Sequence, residues 1–339
     1  MSGGVDSTAT ALFLKSNYEI KGFFMRLAQP DLQSQEARVQ LLAEQIGIEL
    51  EIIDLSQQFN RVVLNYFSSS YFAGLTPNPC VICNREIKFG LFLQAILDRG
   101  MDKMATGHYA RLEKRKDAFH LHMGKDPRKD QTYFLSRLHQ NQLAHILFPL
   151  GEMTKEEIYD YVESHGFRGF RGNESQDVCF LGETSVGNYL QGLQSKTPQQ
   201  GAIVDQNGKV LGHHSGLCQY TIGQRKGLGI SSDRPLYVVG LDPQTNNVIV
   251  GDNEALFQQT LLARDFHWLE GAPPPEHKSY TVRIRYTHRG ATARLTRADN
   301  NSGILHFEEP QRAITPGQFA VLYDGDELLG SGIITGGRK

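Results

Sequence analysis

Apolar and polar positions follow two different rhythms along this chain. Up to about residue 185, helically spaced segments and dense β-rich runs succeed one another with few long turn clusters, which predicts an α/β layer fold. "STATALFLKS" has helical spacing, and "YEIKGFFMRL" is the unbroken run of a strand covered on both faces. "SQEARVQLLAEQIG" predicts an amphipathic helix with Ser34 as N-cap and Gly47 as its stop, and "IELEIIDL" returns to strand, completing a βαβ unit. A further helix is expected from Asn84 to Asp98, then a short strand and loop in "DKMATGHYA". Thr154 and Glu157 have capping-box spacing, so a helix should follow through "EEIYDYVESHG".

Beyond residue 200 the period shortens. "PLYVVGLDPQTNNVIVGD" reads as a hairpin, and "SYTVRIRY", "ATARLTR", "GILHFEE", "GQFAVLYDG" and "ELLGSGII" are short β runs separated by turn clusters, the rhythm of a small β-barrel. The expected organisation is an α/β parallel-sheet domain over 1–187, a small linking domain over 188–255 and a C-terminal β-barrel over 256–339.

Composition narrows this only a little. The chain has 339 residues, 40% of them hydrophobic, enough for two or three separate cores. No run approaches the roughly 20 apolar residues of a membrane span, and no signal-peptide layout opens the chain, so a cytoplasmic protein without membrane contact is expected. The four cysteines should then stay reduced, which points to chemistry or metal rather than a disulfide framework. A formal charge of −2 gives no global attraction to nucleic acid but leaves room for a local basic groove.

Three segments carry candidate chemistry. "SGGVDS", residues 2–7, combines two glycines with a following helix, the makings of a phosphate cradle in which backbone N–H groups and the helix dipole face an anion. It lacks the Gly-Lys-Ser/Thr of a Walker A loop and resembles the loop of enzymes that split ATP into AMP and pyrophosphate; the alternative is a plain Gly-rich turn. "LTPNPCVICNREIKFG" holds a Cys-x-x-Cys pair, either a redox pair or a metal half-site completed by histidine. Cys179, in the polar stretch "NESQDVCFLGE", has the setting of an accessible thiolate, whereas Cys218 reads as ordinary packing.

These segments, with "FFMR", "ATGHYAR", "KDQTYFL", "SQDVCFL", "YTIGQRKGLGI" and "VRIRY", stand in the order found in the tRNA-specific 2-thiouridylases, and the chain resembles that family almost from end to end. The resemblance implies an ATP-pyrophosphatase (PP-loop) domain, a linking domain and a barrel, acting together to replace O2 of the wobble uridine of tRNA anticodons with sulfur. It places Ser2, Gly3, Gly4, Asp6, Ser7, Met25 and Gly107 around ATP and Mg²⁺. It makes Cys83 the nucleophile and Cys179 the persulfide carrier, ending as a transient disulfide that a reductant reopens. Asn78, Pro79 and Cys80 would face the target base, and Lys129, Asp130, Gln131, Arg285 and Tyr286 would contact tRNA. An outward strand face is the alternative for Arg285 and Tyr286. The sulfur would come from a persulfide donor protein or relay.

Some members of the family carry Asp where this chain has Cys80, so an iron–sulfur cluster on Cys80, Cys83 and Cys179 is a further expectation, ranked below the persulfide route. In the family a strand precedes the phosphate loop, and Met1 corresponds to an internal methionine at its end, so the parallel sheet is expected without its first strand. Two other readings stay open: a PP-loop enzyme that amidates its substrate, needing neither cysteine, and a tRNA-binding protein inactive for lack of that strand.

Overall fold

The computed structural model describes residues 1–172, 178–182, 184–193, 199–299 and 301–338. Asn173 to Asp177, which include part of the "SQDVCFL" block, lie outside them.

The N-terminal region builds two parallel strand pairs flanked by helices. Helix α1 (Val5–Lys15) leads to β1 (Gly22–Arg26), α2 (Leu32–Ile46) and β2 (Leu50–Asp54), with β1 and β2 parallel. Gly47 ends α2 in the left-handed region at φ +74°, and its N–H closes on the Ala43 carbonyl at 2.9 Å. The start of α2 differs from the Ser34 expectation. Asp31 is the N-cap residue, and the Gln35 side chain donates to the Pro30 carbonyl at 2.9 Å, fixing an earlier entry. Strands β3 (Met104–Ala105) and β6 (Ile146–Leu147) form the second parallel pair. The Met1 amino group donates to the Phe23 carbonyl at the edge of β1, and burial lowers its pKa to about 5.

In the chain between β3 and β6 runs an antiparallel hairpin, β4 (Ala110–Arg115) and β5 (Ala118–Met123), that the hydrophobic pattern did not announce. The helix Lys155–Ser164 follows, opened by the Thr154–Glu157 capping box and packed on α1 through Ile158, Tyr159 and Val162. The linking region is a four-stranded sheet in the order β8 (Val210–His214), β7 (Gly201–Asp205), β10 (Asn247–Gly251), β9 (Tyr237–Asp242). The β9–β10 hairpin is present, and β10 also pairs in parallel with β7.

Six strands close the barrel: β11 (Phe257–Trp268), β12 (Ser279–Arg283), β13 (Ala291–Arg297), β14 (Ser302–Arg312), β15 (Phe319–Asp324) and β16 (Glu327–Arg338). Their order is β11-β14-β13-β12-β15-β16, and β11–β16 pairing seals the ring. β15 is buried on both faces. Ala320 and Leu322 line the barrel interior, while Phe319, Val321 and Tyr323 enter the core of the N-terminal domain. The hairpin β4–β5 then adds to the outside of β16, pairing Leu121 with Leu328 and His122 with Glu327. Barrel and N-terminal domain therefore share both a sheet and a core.

Candidate active site

The phosphate loop closes on itself. Ser7 Oγ accepts from the Ser2 N–H at 3.1 Å and donates to the Gly4 carbonyl at 2.9 Å, while Gly3 takes φ +80°. No side chain caps α1 at Gly4, so its first-turn N–H groups remain available to an anion. Asp6 sits in that turn, but its carboxylate is held by Lys155 Nζ at 2.8 Å and by the Tyr109 hydroxyl at 2.6 Å. Its negative charge is thereby compensated.

Gly107 explains its own identity. A Cβ there would lie 2.7 Å from Asp6 Cβ and 2.8 Å from the Asp6 carbonyl carbon, so only glycine lets the 106–108 loop approach the start of α1. Met25 lies on β1, half-buried against the N-terminal core, and its carbonyl accepts from Gln29 Nε2 at 2.9 Å.

The cysteine segment is helical earlier than expected. Asn78 is the N-cap, its Oδ1 accepting from the Val81 N–H at 3.4 Å, and Pro79 occupies the first helical position, so the run spans 79–97 rather than starting at Asn84. Cys80 and Cys83 are therefore on the helix. From Cys83 to Phe92 the winding is π, closing i→i+5 rings, and a Cβ on Gly90 would meet the Arg85 carbonyl at 2.9 Å. The barrel fixes the loop ahead of this helix. The Thr76 N–H donates to the Pro316 carbonyl at 2.9 Å, and Gln318 Nε2 donates to the Thr76 carbonyl at 2.8 Å.

Cys179 approaches from the far end of the domain. It is exposed, but Phe180 beside it is clamped edge-on by Phe67 at 5.1 Å and Phe59 at 5.8 Å, so the thiol is presented from an anchored turn. Burial pushes the Cys80 thiol up to about 11 and the Cys83 thiol up to about 12, and desolvation raises Cys179 as well. The charge of Cys179 acts on both Cys80 and Cys83, so the three thiols occupy one electrostatic neighbourhood. Cys218 is buried in the core near Tyr71.

Two residues of this neighbourhood escaped sequence reasoning. Lys88 Nζ lies 3.5 Å from His108 Nε2, and its charge opposes ionisation shifts at Cys80, Cys83 and Cys179. His108 is buried, contacts Thr106 Oγ1 at 2.7 Å through Nδ1, and burial drives its pKa well below the usual histidine value. Both stand inside quoted blocks, "NREIKFG" and "ATGHYA", but nothing in the pattern distinguishes them from core-packing neighbours.

The residues expected at tRNA divide. Asp130 is 2% exposed and its carboxylate is bonded by Arg283 Nη1 at 2.6 Å and Thr132 Oγ1 at 2.9 Å, so it ties the N-terminal domain to the barrel instead of facing a ligand. Gln131 bonds the Tyr109 backbone through both its N–H and its Oε1, at 3.0 Å each. Lys129 is half-exposed beside it. Arg285 and Tyr286 lie just past the end of β12. Arg285 donates to the Arg312 carbonyl at 3.2 Å, and the Tyr286 ring packs 4.3 Å from Phe134.

The iron–sulfur expectation for Cys80, Cys83 and Cys179 finds no support. Among the described residues, the one group of three side chains placed to hold a single metal ion is His120, Glu270 and Glu327, within 4.8 Å of one another. No helix among the described residues is long and apolar enough to cross a membrane.

Comparison with known proteins matches the whole length. Residues 1–183 match the tRNA methyl transferase HUP domain, 188–252 the tRNA methyl transferase PRC-barrel domain and 258–334 the aminomethyltransferase beta-barrel domain. The chain is 55% identical over 334 residues to the tRNA-specific 2-thiouridylase MnmA of Desulfotalea psychrophila, covering 98% of this chain and 97% of the relative. It is 42% identical over 338 residues to that of Syntrophomonas wolfei, covering 98% of each, and 42% identical over 350 residues to that of Geobacter metallireducens, covering 98% and 95%. With a phosphate loop, paired thiols and a closed barrel in one frame, the chain belongs to the tRNA-specific 2-thiouridylase family.

Proposed function

We propose that this protein is a tRNA 2-thiouridylase that uses ATP to exchange O2 of the wobble uridine for sulfur. One observation carries the reading: Cys83 and Cys179, far apart in sequence, are brought to one core of the domain that carries the phosphate loop, Cys83 packing against that core and Cys179 standing beside its Phe180. Methyl transfer, the wording of two of the matched domains, would require neither that loop nor a pair of thiols.

The uridine O2 leaves poorly as oxide or hydroxide. Attack of O2 on the α-phosphate of ATP forms an O-adenylate and expels pyrophosphate, which the N–H groups at the start of α1 and the Ser2, Gly3, Gly4 and Ser7 turn receive. Asp6, Met25 and Gly107 flank the nucleotide, and Mg²⁺ would supply charge neutralisation for its phosphates. The terminal sulfur of a Cys179 persulfide is then transferred to C2, with AMP as leaving group. The thiolate of Cys83 takes the remaining Cys179 sulfur into a disulfide, releasing the transferred sulfur as a two-electron nucleophile. A cellular thiol reductant restores both cysteines, in keeping with a cytoplasmic enzyme.

Asn78, Pro79 and Cys80, in the helical turn that leads to Cys83, face the splayed base, which a single-stranded loop yields at low cost. Lys129, Arg285 and Tyr286 contact the tRNA, and Gln131 and Asp130 hold that edge in place. A persulfide-bearing protein or relay supplies sulfur to exposed Cys179.

Incubation of the purified protein with unmodified tRNA, ATP, Mg²⁺ and a persulfide source, followed by nucleoside mass spectrometry, tests the reading. 2-Thiouridine should accumulate with AMP and pyrophosphate. Pyrophosphate release without thiolation, unchanged by loss of either cysteine, would favour the amidating alternative.

A further inference from the structure

The π-wound turn has a geometric effect on what stands beside the nucleophile. Five residues of an α-helix make about 1.4 turns, which would carry position 88 well off the face of position 83. Closing the ring at i→i+5 returns Lys88 toward the face of Cys83, and the half-buried Lys88 ammonium reaches to 3.5 Å from His108. We infer that Lys88 is a positioning residue of the sulfur-transfer site, its ammonium set by the π turn beside Cys83 to favour the attacking thiolate forms of Cys83 and Cys179.

The groups facing it are Cys80 and Cys83 on its own helix, Cys179 from the 178–182 turn, His108 from the 106–108 loop and the Met1 amino group beside β1. His108 is neutral, because both burial and Lys88 disfavour its charged form, and the Met1 amine is uncharged above about pH 5. Among the described residues no carboxylate forms an ion pair with Lys88, so its field is not spent on an acid. At Cys83 and Cys179 the Lys88 charge is the first influence after burial, and it acts in the opposite direction. A thiolate is what attacks, so a cation here sets the fraction of competent enzyme.

The inference rests on the proposed roles of Cys83 and Cys179, but its test does not require turnover. The native protein, without ATP or tRNA, is alkylated with iodoacetamide from pH 6 to 10, and modification of Cys83 and Cys179 is followed separately by peptide mass spectrometry. In Lys88→Met, alkylation of both at pH 8 should slow about tenfold, the change that one unit of thiol pKa produces. Lys88→Arg, which keeps the charge, should stay within about threefold of the parent. Profiles that overlay the parent in a folded Lys88→Met protein would overturn the inference, as would a folded Lys88→Arg protein as slow as Lys88→Met. Should the Met variant not fold, Lys88→Gln carries the same comparison. A parent protein that shows the expected profiles yet makes no 2-thiouridine would defeat the proposed function and leave the electrostatic role standing.

Discussion

Asp6 and Lys155 form an ion pair at 2.8 Å across the nucleotide domain, joining the first turn of α1 to the first residue of the Lys155–Ser164 helix. The ammonium is buried and the carboxylate one-third exposed, with 8% and 33% of the side chains accessible. Lys155→Met should cost about 2 kcal/mol, less than for a fully buried pair because water reaches Asp6. Urea denaturation measures this, and ATP affinity should fall with it, since the released Asp6 charge would face incoming phosphates.

Gly107→Ala tests the approach of the 106–108 loop to the phosphate turn. The added methyl would collide with the Asp6 backbone, so either the loop or α1 must move. Isothermal titration should show ATP binding weakened at least tenfold while the melting temperature drops only a few degrees. Unchanged ATP affinity would place the nucleotide elsewhere.

Cys83→Ser and Cys179→Ser should each abolish thiolation and leave tRNA binding within about twofold, because serine keeps the size but forms neither persulfide nor disulfide. Cys218→Ser should thiolate normally and lose about 1 kcal/mol of stability, having placed a hydroxyl in an apolar core. Gel-shift and nucleoside analysis of the three variants separate these outcomes.

Arg283→Met removes the cation that holds Asp130 across the domain junction. The pair is almost fully enclosed, 11% and 0% accessible, so the orphaned carboxylate should destabilise the protein by about 3–5 kcal/mol. Asp130→Asn with Arg283→Met together should recover part of the loss, a non-additivity readable in a double-mutant cycle.

His267 gives the stability a pH dependence of known sign. Burial lowers its pKa from 6.5 to about 4, while Nε2 bonds the Leu138 carbonyl at 2.7 Å. The unfolded chain therefore takes up a proton that the folded chain refuses, so this contribution is complete above pH 6.5 and is lost as pH falls toward 4. Melting temperatures at pH 7.5, 6 and 5 should decline, and His267→Gln should flatten that decline. Buried His108, also lowered by burial, adds a slope of the same sign.

What the sequence made legible was local. The stop at Gly47, the Thr154 capping box and the strand "GFFMR" each carry their signal within a few residues, and each is found in place. "GQFAVLYDG" reads as a short barrel strand, and β15 is found there, buried on both faces. The cysteine helix was placed too late because Asn78-Pro79, an N-cap followed by a first-turn proline, looked like loop punctuation. The hairpin β4–β5 was missed because "RLEKRKDAFH" is mostly polar, and its buried side is supplied by β16. The role of Lys88 could not be read, since π winding has no sequence period of its own and the partners come from three other segments. Asp130 shows the other side of this: a charged residue in a family motif invites a ligand, and only the fold reveals that its carboxylate is also paired with Arg283 from the barrel.

The addition of β5 to β16 also sets an order of events at the ribosome. The hairpin is complete once Met123 has emerged, whereas its partner strand begins at Glu327, about 200 residues later. At about 5–20 residues per second, the hairpin waits roughly 10–40 s with one ladder edge uncovered. That waiting edge is β5, whose His120 and His122 meet Glu327 and Asp326 when β16 arrives, while Arg111 and Arg115 on the neighbouring β4 pair with the same two carboxylates. Synthesis of the last strand is thus the step that converts a tolerant intermediate into a closed molecule.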